Sequence, residues 1–154
     1  MAMNRFYALA AAALVLLAVF GAGCRSFSGV RTPERKIAGE IEIGPEWREI
    51  TVDPPLAVNE EIQFVGLQIE DLKERTGADR LRLVRRDGKE LQIDAELIDQ
   101  AGNPTALFPI GIGRLVEFGT GNRLPAQAAY GKIRIRSSEK ISVKEIVWGD
   151  SSSW

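Results

Sequence analysis

The chain contains no histidine and one cysteine, Cys24. Without histidine it lacks the commonest general base and the commonest transition-metal ligand. Ser-His-Asp and Cys-His catalysis are excluded with it. A lone cysteine forms no intrachain disulfide, and zinc sites built from Cys and His are excluded as well. Neither sign of charge dominates, with 20 basic and 21 acidic residues. That argues against a nucleic-acid partner, whose surface asks for a strongly basic domain. No glycine-rich phosphate loop or catalytic motif is present.

What is present begins at the start. Arg5 gives a small positive region, Phe6 to Phe20 is an unbroken apolar run, and Gly21, Ala22 and Gly23 precede Cys24. Positive start, apolar middle and small-residue end form the secretory pattern. The run is slightly short of the roughly 20 residues a spanning helix wants, and an uncleaved anchor is the alternative. Phe20-Gly21-Ala22-Gly23-Cys24 resembles the lipobox of bacterial lipoproteins. Ala22, Gly23 and Cys24 match the pattern; Gly21 departs from it where an aliphatic residue is usual. The resemblance implies cleavage before Cys24, acylation of its thiol and a membrane-lipid partner through that thiol. Two or more acyl chains anchor stably where one does not. In that family an aspartate after the cysteine often retains the protein at the inner membrane. Arg25 stands there instead, which points to the outer membrane. The expected organisation is a signal peptide at 1–23, a polar tether at 24–36, a β-domain at 37–149 and a polar tail at 150–154.

Beyond the tether the apolar residues recur with period two, the mark of half-buried strands. Ile37, Ile41 and Ile43 alternate with polar residues. Trp47 to Val52 alternates again, and Asp53-Pro54-Pro55 is expected to end that strand, since proline gives the ladder no donor. Ile62 to Ile69 is apolar on both faces, so it is expected to be covered on both sides. Glu70 to Gly77 reads as one helical turn, with Asp71 and Arg75 four apart and Gly77 at the C-cap. Asp87-Gly88 marks a hairpin. Across it, Arg82, Arg85 and Arg86 are expected to face Glu90, Asp94 and Glu96. Asp99 to Pro104 is a turn. Pro109, Gly111 and Gly113 break an apolar stretch and suggest a bulge or a sheet corner. Glu117 to Gly131 reads as a long loop, and Lys132 to Trp148 as two clear strands.

Seven or eight short alternating strands predict an all-β fold, an antiparallel β-sandwich of jelly-roll form, following the N-terminal signal helix. The closing phrases Tyr130 to Ser137 and Ile141 to Trp148 resemble the final hairpin of galactose-binding-like jelly rolls. That raises the expectation of a jelly roll and carries over no binding residue.

Candidates for chemistry are few. Of the carboxylate pairs Glu60/Glu61, Glu70/Asp71 and Asp94/Glu96, only the last shares a strand face, and basic neighbours account for it. Asp99 to Asn103 offers oxygen atoms of the kind calcium takes, without EF-hand spacing, and reads better as a turn. No metal, cofactor or catalytic residue is expected. Of the aromatic residues Trp47, Phe108, Tyr130, Trp148 and Trp154, Trp148 is expected in the core and Trp47 on the surface. The expectation is a non-catalytic, lipid-anchored interaction domain of the bacterial envelope, with a protein or glycan partner. The alternative is a carbohydrate-binding module using Trp47 and the Glu117 to Gly131 loop, with a hydrolase ranked behind both.

Overall fold

Alternation along the chain becomes antiparallel sheet in the computed structural model, which describes residues 34–59, 62–76 and 81–150. The leader, Cys24, Glu60, Glu61, Gly77 and Trp154 lie outside the described residues. Twelve strands run in order: β1 (Arg35–Ala38), β2 (Ile41–Ile43), β3 (Arg48–Ala57), β4 (Gln63–Ile69), β5 (Leu72–Thr76), β6 (Leu81–Arg85), β7 (Glu90–Leu91), β8 (Ile93–Asp99), β9 (Pro104–Ile112), β10 (Val116–Gly119), β11 (Ala129–Ser137) and β12 (Ile141–Asp150). Among the described residues there is no helix, and so none long and apolar enough to cross a membrane.

Nine strands form one sheet in the order β1-β12-β4-β10-β9-β8-β11-β3, with β2 also paired to β12. β5, β6 and β7 form a separate three-stranded sheet. The β1/β2 pair counts as one strand. With β5–β7 set aside, one layer reads first, eighth, third, sixth and the other second, seventh, fourth, fifth. That is the strand order of a jelly roll, so the expected all-β sandwich is observed.

β9 joins the layers. Its first half pairs with β8 (Ala95 opposite Leu107) and its second half with β10 (Val116 opposite Ile112). Between Glu117 and Phe118 the register slips, so Ile110 is the extra residue of a bulge beside Pro109. Such bulges let one strand turn a corner between two sheets. The corner expected from Pro109 and the glycines is therefore present.

The core fills the space between the layers. Val65, Leu67, Val116, Phe118, Val143, Ile146 and Trp148 come from one side, and Leu97, Tyr130, Ile133 and Ile135 from the other. β4 is covered on both faces, as its sequence predicts. Val65 and Leu67 point inward, while Phe64 packs outside with Leu115, Val147 and Ile110.

Four local expectations change. The Ile37 to Ile43 strand splits at Gly39 into β1 and β2, both held by β12. β3 runs through Pro54 and Pro55 instead of stopping; it is an edge strand, where a missing donor is tolerated. The register slips between Tyr130 and Lys132, which oppose Leu56 and Thr51, so the prolines fall in the bulged stretch. Leu72–Thr76 is strand, not helix, because it pairs along β6 from Leu72 opposite Arg85 to Thr76 opposite Leu81. Asp71 turns the chain into it at φ 66. Finally, the stretch from Glu117 to Gly131 is shorter as a loop than expected. β10 runs to Gly119, β11 begins at Ala129, and Leu124 between them is buried in the core.

The outer face of the first layer carries exposed ion pairs. Lys144 Nζ lies 2.8 Å from Glu40 Oε1. The hydrogen bond from Lys144, then its charge, holds the Glu40 carboxyl below the ordinary value, helped by Ser142. The bond to Glu40 and the charges of Glu40 and Glu70 raise Lys144 above its ordinary value. A lowered carboxylate contributes stability above its unfolded value and loses it as pH falls through the depressed one. A raised lysine contributes below its unfolded value and loses it as pH rises through the raised one. Lys144→Met is therefore expected to lower Tm slightly between about pH 5 and pH 9, with the difference vanishing on the acid side. Thermal melts across pH check this, and about 1 M salt should erase the difference, since exposed pairs are screened.

Candidate functional site: a trough beside Trp47

The site lies on the outward face of the second layer, where period-two alternation sends polar side chains away from the core. On β11, Ile133 and Ile135 are buried, and Arg134 and Arg136 point outward between them. On β8, Ala95 and Leu97 are buried while Asp94 and Glu96 point outward. The register sets Arg134 opposite Glu96 and Arg136 opposite Asp94. Arg134 forks onto Glu96 Oε2 through Nε and Nη2, and Arg136 Nε donates to Asp94 Oδ2 at 2.8 Å. Opposite charges facing across strands stabilise the sheet by about 0.2–1 kcal/mol per pair.

Trp47 precedes β3 and lies against this ladder, half-buried. The Arg136 guanidinium carbon is 4.6 Å from its ring centroid and that of Arg134 is 5.2 Å away. Both distances are within reach of a cation–π attraction, worth roughly 0.5–1 kcal/mol at exposed sites. The sequence placed Trp47 at the surface but gave no sign of its two arginine partners, which reach it only through the β3–β11 pairing.

Beyond Trp47 the face drops into an open trough of about 540 Å³. Trp47, Arg136, Asp94 and Glu96 line it, together with Phe108 and Pro109 from the β9 corner. Arg82 and Glu90 of the small sheet line it too, and lie 4.0 Å apart. Phe108 is 62 % exposed and is the one large hydrophobic side chain standing out in solvent among the described residues. The corner explains this: Leu107 enters the core, so its neighbour must point outward. Gln92 sits at the break between β7 and β8. Its backbone is fixed by Ser138, which accepts from Gln92 N at 3.1 Å and donates its own N–H to Gln92 O at 2.8 Å. The Gln92 side chain then donates to Asp94 Oδ1 at 3.3 Å.

No protein family, curated protein or solved structure matches this chain.

A second concavity of about 510 Å³ adjoins it, lined by Glu42 to Arg48 and Lys140. Trp47 is a wall of both. Lys140 Nζ lies 2.9 Å from Glu42 Oε2 at its edge.

The expected charge pairing is only partly observed. Arg82 approaches Glu90, but Arg85 binds Glu139 at 2.8 Å and Arg86 lies 3.8 Å from Asp71. Asp94 and Glu96 belong to β11 instead, because the strand breaks at Gln92 and its second part joins the large sheet. Nor does the Glu117 to Gly131 stretch meet Trp47: it contributes nothing to the trough lining. Trp148 and Tyr130 are core residues.

Asp94 and Glu96 share the outward face of β8, each held by an arginine. A glycosidase instead sets its two acids on either side of the scissile bond. Asp99 is occupied by its own turn, accepting from Ala101 N at 2.9 Å and Asn103 N at 2.8 Å. Hydrogen bonds from the Asn103 side chain and backbone lower its carboxyl from the ordinary value. Among the described residues no cluster of three or more metal-ligating side chains is found.

Proposed function

We propose that this chain is a non-catalytic, lipid-anchored binding domain of a bacterial envelope, held through acylated Cys24, with the trough beside Trp47 as its binding surface. Arg25 after the cysteine favours the outer membrane; either way the domain faces outward from the cytosol. The observation that carries the binding reading is the trough itself. It is open, it holds Phe108 in solvent, and each of its acids already has a cationic partner. Such a surface suits recognition better than proton transfer. Ligand sites commonly combine aromatic lining with a few placed polar groups, in volumes of about 300–1,000 Å³. Trp47 and Phe108 together favour a second, narrower reading, a carbohydrate-binding module, because an aromatic face stacks well on the C–H face of a sugar.

Two substitutions test the parts separately. Cys24→Ser is expected to move the protein from the membrane fraction to the soluble fraction of cells. An unmodified Cys24 in the wild-type membrane fraction, by mass spectrometry, would sink the anchor. The pair Trp47→Ala and Phe108→Ala should stay anchored and folded in cells, yet the detergent-solubilised protein should lose co-sedimentation with purified, membrane-free envelope fragments by about tenfold or more. Unchanged sedimentation would remove the trough as the binding surface.

A further inference from the structure

Two concavities share Trp47 as a wall, and their charges have a common property. In the trough, Glu90 faces Arg82, Asp94 faces Arg136 and Glu96 faces Arg134. In the second concavity Glu42 faces Lys140, and Glu46 and Arg48 are of opposite sign. The trough lining itself holds three acids and two bases, and Arg134, which is not part of that lining, balances the third acid through its pair with Glu96. The second concavity holds two of each, so counted with Arg134 neither hollow carries an excess of either charge. A nucleic acid, an anionic lipid headgroup or an acidic polymer would find no uncompensated cation to bind, and a basic peptide no uncompensated acid. An apolar segment would have to strip water from charged groups at both ends, which costs more than burying Phe108 gains. An uncharged ligand rich in hydroxyls avoids both costs. Its hydroxyls can donate to the carboxylates and accept from the guanidiniums and from Gln92 without breaking the pairs, and its C–H faces can lie on Phe108 and Trp47.

From this we infer that the two concavities are consecutive parts of one groove, and that the groove takes a linear, uncharged polysaccharide read along its length, with Trp47 at the junction. The inference rests on the trough being the binding surface and adds the charge class and the chain-like form of the ligand. A chain spanning both hollows gains contacts on each side of Trp47; a single sugar reaches only one. The juxtaposition also assigns specificity. Gln92, pinned by Ser138, and the Asp94–Arg136 pair supply fixed polar atoms in the trough, whereas the second concavity offers the Glu42–Lys140 pair at its edge.

The test is calorimetric titration of the detergent-solubilised full chain. Probes are neutral oligomers of glucose, xylose, mannose and N-acetylglucosamine, from monomer to hexamer, with oligogalacturonate as the anionic control. One neutral series is expected to bind, with affinity rising with length by about tenfold or more from monomer to hexamer. Raising the salt should change it less than about twofold, since no counterions are released. Phe108→Ala should weaken the hexamer about tenfold. Phe108 is exposed, so that variant is expected to keep the wild-type circular dichroism spectrum. Lys140→Ala should weaken the hexamer but not the dimer. Binding of oligogalacturonate alone would overturn the charge class, and equal affinity for monomer and hexamer would overturn the spanning groove. Silence toward every neutral series, with envelope sedimentation still dependent on Trp47 and Phe108, would overturn this inference and leave the binding surface standing. Silence together with sedimentation that ignores those residues would remove both.

Discussion

Phe118→Ala is expected to destabilise the domain by about 3–5 kcal/mol, the usual range for removing a buried phenylalanine. Phe118 has no exposed surface. It sits on β10, opposite Val65 of β4 on one side and Pro109 of β9 on the other. That places it where the strand between the layers turns its corner. The neighbouring backbone is fixed by two ladders, so the surrounding side chains have little freedom to collapse into the space left. Small domains are stable by only about 5–15 kcal/mol, so the loss is a large fraction of the total. Urea denaturation checks it through a lowered midpoint at unchanged slope. A loss below about 1 kcal/mol would mean the corner is not closely packed.

Gly66→Val is expected to cost about 1–3 kcal/mol by overpacking, although valine suits strands in general. Gly66 is central in β4, between Val147 of β12 and Glu117 of β10. A Cβ built there would come within 2.8 Å of Leu115 Cδ1 and of Val147 Cγ2, and 3.0 Å of Phe64 Cε2. These residues form the small apolar cluster on the outside of the first layer. If the cost comes from that crowding, adding Leu115→Ala should recover part of it, and the double-mutant cycle should show coupling of about 0.5 kcal/mol or more. Additive losses would place the cost elsewhere, in the backbone of β4.

Which residues face inward was legible in the sequence wherever alternation was regular. Ile133 and Ile135, Ala95 and Leu97, and the two-sided apolar strand around Phe64 and Val65 all lie as the period requires. The Asp87-Gly88 hairpin is equally local: Gly88 takes φ 86 and donates to Arg85 O at 2.9 Å. What could not be read depends on neighbours distant along the chain. Asp71 and Arg75 are spaced for a helix, but the partner that makes Leu72–Thr76 a strand is β6. Pro54 and Pro55 would stop a central strand; only the sheet order reveals that β3 is an edge. The same limit applies at the trough. Trp47 could be placed at the surface from its strand face, yet Arg134 and Arg136 reach it only through the β3–β11 pairing, and Phe108 comes to line the same trough only through the β8–β9 pairing.

Strand β1 lies against β12, with Arg35 opposite Trp148, and β12 also carries β2 and the inner flank of β4. A polypeptide that has emerged only as far as Ser137 therefore has no template for its opening strands and no lid for half of its interior. Contacts between such remote parts of the chain form late and slowly. The opening segment must wait, extended and sticky, until the closing strand arrives. Truncating within β12 should thus abolish folding outright instead of trimming stability, and any machinery that handles the growing chain must keep it from aggregating until the final strand is free.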